Sequence, residues 1–155
     1  MYLNFAGFSY TGSWGGGTPG VTPAYNGQTG QFTAQEAANI QNIWSRVAEA
    51  YSPFNINVTT VDPAVAAGQA GSDFARQNYY DATPRVMHTV IGAGSSTFFG
   101  SAGGVSEVNV WSTPQSGGGG TNWVFTNRLG GYQSFHNIFT ATVHEVGHAA
   151  GLLHQ

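Results

Sequence analysis

The chain has no cysteine and no lysine, and only 7% of its 155 residues are charged. Without cysteine a disulfide scaffold is excluded, and the redox compartment is left open. Four arginines against seven acids leave a net charge of −3. That is too few cations, too thinly spread, for a surface that grips nucleic acid or an anionic membrane, and neither is expected as a partner. Long hydrophobic runs are missing as well: no stretch approaches the roughly 18 apolar residues of a membrane span. Residues 1–5, Met-Tyr-Leu-Asn-Phe, carry no basic region followed by an apolar run, so they show no signal-peptide pattern. Solubility must come from Ser, Thr, Asn, Gln and the 23 glycines, which fill the loops. By size the chain is a single domain, 1–155, able to hide about two-thirds of its unfolded surface.

Apolar periodicity divides the chain into alternating elements. Residues 2–8 read as a first strand and 11–31 as a long Gly, Thr, Pro and Asn loop. Thr33 with Glu36 three residues on forms a capping box that opens a helix. Its stripe of Ala37, Ile40, Ile43, Trp44, Val47 and Tyr51 should be buried while Gln35, Asn39, Arg46 and Glu49 face water. Pro53 ends it. Residues 54–61 alternate as a strand, 64–81 are ambiguous with a helical turn near 72–79, and 84–91 read as a further strand. His88 in that strand is expected to be a hydrogen-bonded core histidine. A Gly and Ser loop over 92–104, broken by Phe98 and Phe99, leads to residues 105–111. These alternate, with Val108 and Val110 on one face and Glu107, Asn109 and Trp111 on the other, as suits an exposed edge strand. After the glycine run 117–120, residues 123–126 form a last short strand. Residues 134–150 form a helix with Phe135, Phe139, Thr142, Val146 and Ala149 toward the core; His136 is expected in solvent on its first turn.

The last residues of that helix carry the chemistry. His144-Glu145-Val146-Gly147-His148-Ala149-Ala150-Gly151-Leu152-Leu153-His154 reads H-E-x-x-H-x-x-G-x-x-H. Residues four apart on a helix lie about 40° apart in azimuth and about 6 Å apart along the axis, so His144 and His148 can converge on one ion. If the helix continued, His154 would lie roughly 9 Å beyond His148, too far for a metal–nitrogen bond of about 2.0–2.1 Å. The helix must therefore stop, and Gly151 can stop it with a positive φ that costs glycine nothing. Three neutral imidazoles then leave one tetrahedral position for water, and Glu145 is placed to take a proton from that water. In a chain of this composition the five fixed letters coincide by chance with a probability on the order of one in fifty thousand, so accident is a poor explanation.

This spelling resembles the long zinc signature of the metzincin metallopeptidases, with a matrixin-like Val146-Gly147-His148. The resemblance implies a Zn2+ cofactor held by His144, His148 and His154, with Glu145 as general base and Gly151 as the bend. It implies an α+β, zincin-like fold: a twisted, mostly parallel sheet with an antiparallel edge strand, packed on two helices of which the second carries the motif. It implies a secreted, monomeric zinc endopeptidase whose peptide or protein substrate lies along the edge strand 105–111. The family's lower subdomain and methionine turn should follow the third histidine, so the chain reads as the upper part of a catalytic domain. Gln155, after that histidine, matches none of the letters usual there. Two other classes stay open on the residues alone: a zinc-binding or adhesive module with a weak or inactive site, which the Gly, Thr and Asn richness suggests, and a zinc hydrolase of a non-peptide substrate, because the motif specifies the water and not the substrate.

Overall fold

Three parallel strands, β1 (Tyr2–Asn4), β4 (His88–Gly92) and β6 (Thr121–Phe125), make up most of a four-stranded sheet ordered β1-β4-β6-β5. β5 (Gly104–Val105) closes the far edge antiparallel to β6, pairing Gly104 with Val124 and Val105 with Trp123. The remaining elements are the hairpin β2 (Phe8–Tyr10) with β3 (Gly20–Thr22), the helices α1 (Ala34–Ala50), α2 (Pro63–Ala66), α3 (Asp73–Ala82) and α4 (Phe135–Ala149), and a 3-10 turn at Thr126–Arg128. The fold is α+β, with a mixed, mostly parallel sheet and four helices. The computed structural model describes residues 1–28, 31–94, 100–112 and 119–154, so Phe98, Phe99, residues 117–118 and Gln155 lie outside the described residues.

Both faces of the sheet are covered. On one face Leu3, Ile91 and Val124 meet Ile43 and Val47 of α1 and Ile138 and Val146 of α4, all buried. Truncating a fully buried residue such as Ile138 to alanine would cost about 2–5 kcal/mol. On the other face Tyr2, Val90, Trp123 and Phe125 pack with Phe8, Tyr10 and Trp14 from the hairpin and with Tyr80 of α3. Periodicity gives no sign of this second layer, because the hairpin strands are three residues long and its connection has the composition of a loop.

Local chemistry explains most elements. α1 starts on the expected capping box: the Thr33 hydroxyl accepts from the Glu36 N–H, and the Glu36 carboxylate accepts from the Thr33 N–H at 2.8 Å. Those bonds, with the Asn26 amide, hold the Glu36 carboxyl below its ordinary value. They also turn the helix, so Glu36 and Asn39 are buried while Ala37 and Trp44 are exposed; Ile43, Val47 and Tyr51 keep the expected stripe. In α4 the buried line runs through Ile138, Thr142, Val146 and Ala149. Phe135 and Phe139 are half-buried instead of central, lying beneath the Arg46 guanidinium at 5.6 and 6.0 Å.

Three strand expectations need correction. The first strand splits at Gly7, whose φ is +84 and whose hydrogen side lies where a Cβ would be 2.7 Å from the Thr22 carbonyl oxygen. Residues 54–61 form no strand; their one bridge to the sheet among the described residues joins Thr59 to Tyr2, with Leu3 N–H donating to the Thr59 carbonyl, and Val58 packs into the core beside Leu3. Residues 105–111 are a strand only at Val105. Beyond it Asn109 has φ +60, and the N–H groups of Asn109, Val110 and Trp111 donate to the carbonyls of His148 and Ala149 at the end of α4. Alternation in sequence speaks for a longer strand, but an unsatisfied helix end makes the stronger demand on these donors.

His88 is fully buried among Tyr2, Phe8 and Tyr80, with ring centroids 5.4, 4.5 and 4.2 Å away. The Ala6 N–H donates to Asn4 Oδ1, which turns the Asn4 amide nitrogen toward His88 Nε2 at 3.0 Å. Nε2 must then accept, so Nδ1 carries the proton and donates to Thr121 Oγ1 at 3.2 Å. Burial holds its pKa well below the ordinary 6.5, with the Arg76 charge adding to the effect. Such a depressed pKa contributes stability that is present above about 6.5 and is lost as pH falls toward the folded-state value. The expected outcome is a wild-type stability that declines below pH 6.5 more steeply than that of a His88→Gln variant, by up to about 1.4 kcal/mol per pH unit. Urea unfolding of both proteins across pH 4.5–7.5 measures the difference; parallel curves would show that His88 is not buried neutral.

Candidate metal centre

The end of α4 is built by one glycine. Gly151 has φ +100, its N–H donates to the His148 carbonyl at 2.8 Å, and the Leu152 N–H donates to the Gly147 carbonyl at 2.9 Å. This pair of reversed bonds is the Schellman arrangement that ends a helix on a left-handed residue. It folds the chain back so that the third histidine meets the two on the helix. His144 Nε2, His148 Nε2 and His154 Nε2 lie 2.9, 3.0 and 3.1 Å from one another.

That triangle is shaped for a cation. His148 Nδ1 lies 2.7 Å from the Leu152 carbonyl oxygen and must donate its proton there, which leaves Nε2 as a lone pair. Three ring nitrogens brought together in this way repel unless a proton or metal ion sits among them. Nitrogens bonded at about 2.0–2.1 Å around one tetrahedral ion are about 3.3 Å apart, within a few tenths of an ångström of the spacing here. Burial and the neighbouring His148 and His154 charges lower the His144 pKa, favouring the neutral, ligating form. The three histidines therefore lie close enough to bind a metal ion together.

Glu145 does not join them. It is 6% exposed and lies against the sheet edge, where a Cβ on Gly104 would fall 2.6 Å from its Cγ and 2.7 Å from its Oε1. Only a glycine at 104 admits the carboxylate there. Burial pushes the Glu145 pKa up to about 7, while the charge of His148 pulls it down. The carboxylate and all three imidazoles line one cleft of about 590 Å³, whose other walls are Trp14 and Gly15 of the hairpin and residues Gly103 to Glu107 along β5. Of the histidines outside the motif, His88 is buried in the opposite layer and His136 is exposed on the first turn of α4, beside Phe139. Neither reaches the cleft.

The sequence singles out His144, Glu145, His148, Gly151 and His154, and the structure brings the four side chains into one cleft through the turn at Gly151. Sequence reasoning missed Gly104 and Trp14. A glycine pair before an apolar run marks a close approach of backbone to something, so Gly103-Gly104 carried a usable signal. Trp14 carried none, since its place depends on how the hairpin folds back over Trp123, 5.0 Å away edge to face.

No family model, no curated protein and no solved structure matches this chain. Its function is therefore read from the site.

The protein should bind one equivalent of Zn2+. His144→Ala and His148→Ala should lose it more completely than His154→Ala, because the helix presets two ligands whereas the third depends on the turn. Gly151→Ala, strained at positive φ, should weaken binding about tenfold with all ligands intact. Metal analysis and competitive chelation test the set; equal retention in all four variants would remove the assignment.

Proposed function

We propose that the chain is a zinc-dependent endopeptidase of the metzincin type. The observation that carries this reading is the position of Glu145: a carboxylate beside three convergent imidazoles, in the same cleft, on the next residue of the same helix. A purely structural site needs no such base, which counts against an adhesive module with a vestigial centre. His144, His148 and His154 would hold the ion. Zinc so bound supplies a Lewis acid for a carbonyl and lowers the pKa of a water toward about 7.

The chain's own residues supply the rest. Glu145 accepts the proton of the attacking water on its carboxylate and delivers it to the leaving amine, a role suited to a group whose pKa burial has raised toward neutrality. Gly104 fixes where that carboxylate stands. β5 is the free edge of the sheet, so an extended peptide can add to it through main-chain bonds and present a carbonyl to the imidazoles. With residues 109–111 committed to α4, the edge offered to substrate runs from Gly103 to Glu107 instead of 105–111.

Chelator-sensitive hydrolysis of casein is the expected activity, and a protein that binds zinc tightly but cleaves no peptide would overturn the reading in favour of a binding module or a non-peptide hydrolase. Glu145→Gln should retain the metal and lose at least about a hundredfold in kcat; loss of metal instead would make Glu145 a ligand.

Gly104→Ala should likewise retain the metal and lower kcat at least about tenfold, since a displacement of about 1 Å at a catalytic group is costly.

A further inference from the structure

The side-chain charge lining the cleft is one-sided. Glu107 and the buried Glu145 are its only acids, and none of the four arginines, at 46, 76, 85 and 128, lines it among the described residues. Arg76 is taken up by Asp62 and Asp73, Arg46 lies over Phe135 and Phe139, and Arg85 faces a separate cavity beside Met1 and Trp111. The Glu107 carboxylate makes no ion pair among the described residues. It lines the same cleft as Val105, and both residues are half-buried, whereas Trp14 of that cleft is packed into the core at 3% exposure.

We propose that Glu107, with Val105 beside it in the same cleft, forms a subsite for a cationic side chain, so that the peptides this cleft takes carry an arginine or lysine at a fixed distance from the bond to be cut. This rests on the endopeptidase reading and names its substrate class. A long basic side chain suits both residues: its methylenes lie against Val105, and the carboxylate supplies the opposite charge. The surroundings add to the attraction. Asp81 on α3 and Tyr10 on β2 both sense the Glu107 charge. The Asp81 pKa rises to about 6, chiefly by burial and in smaller part through Glu107, while the Gly120 N–H acts against the rise. No arginine from α3, β2, β5 or α4 makes an ion pair with Glu107 among the described residues, which leaves the carboxylate for a cation arriving with the substrate. Acidic side chains placed there would be repelled.

Eight-residue Ala/Ser peptides with arginine, norleucine or glutamate walked through each position test this on the zinc-loaded protein. Affinity is measured with Glu145→Gln, which binds without turnover, and cleavage is measured separately with the wild type. At one position arginine should bind about fivefold or more tighter than norleucine and glutamate should bind more weakly than both, with the arginine preference shrinking as salt is raised. Adding Glu107→Gln should bring the arginine-to-norleucine ratio close to one, and Glu107→Lys should invert the order of arginine and glutamate. Glu49→Gln, remote on α1, should leave the ratio as it was. Equal affinity for the three peptides at every position, or a preference that survives Glu107→Gln, would overturn the subsite. A cation preference in binding with no cleavage of any peptide would keep the subsite and overturn the endopeptidase reading, whereas cleavage without preference would do the reverse.

Discussion

The carbonyl groups at the last turn of α4 organise more of this molecule than any other set of atoms. A helix end leaves its final carbonyls without intrahelical donors, and here they are met from two directions. The His148 carbonyl accepts from both Gly151 and Asn109, the Ala149 carbonyl from Val110 and Trp111, and the Gly147 carbonyl from Leu152. The bonds from 151 and 152 reverse the chain and bring His154 to the other two imidazoles. The bonds from 109, 110 and 111 pull the segment after β5 off the sheet, which ends the edge strand and leaves Glu107 beside the cleft. One helix terminus thus sets both the place of the third imidazole and the end of the edge strand.

Close approach at the sheet edge is the second constraint. β5 is two residues long, yet Gly104 lets the Glu145 side chain lie directly against it. The base role proposed for Glu145 asks for a defined position and a raised affinity for protons. Contact with the strand supplies the first, and loss of solvent at the same contact supplies the second. The opposite layer serves the scaffold instead. There His88 is enclosed by three aromatic rings and held in one tautomer by Asn4 and Thr121. It ties β1, β4 and β6 together on the face away from the histidine triad.

The residues that converge in the cleft were legible in the sequence because their geometry is local. The offset of four between His144 and His148 is a helix turn, and a glycine three residues beyond is a helix stop; both follow from 3.6 residues per turn and from the freedom of glycine at positive φ. Thr33 and Glu36 were legible for the same reason, since a capping box is closed within a single turn. What only the tertiary structure decided were matters of which distant groups satisfy one another. The alternation of 105–111 spoke for a strand, but the donors of 109–111 were claimed by α4, far later in the chain. The glycine-rich run after Tyr10 read as a loop, but it closes a hairpin that carries Trp14 to Trp123 and so walls the cleft. Local rules placed the three imidazoles; long-range hydrogen bonds and aromatic packing fixed the shape of the space in front of them, because neither leaves a period or a spacing in the chain to be read.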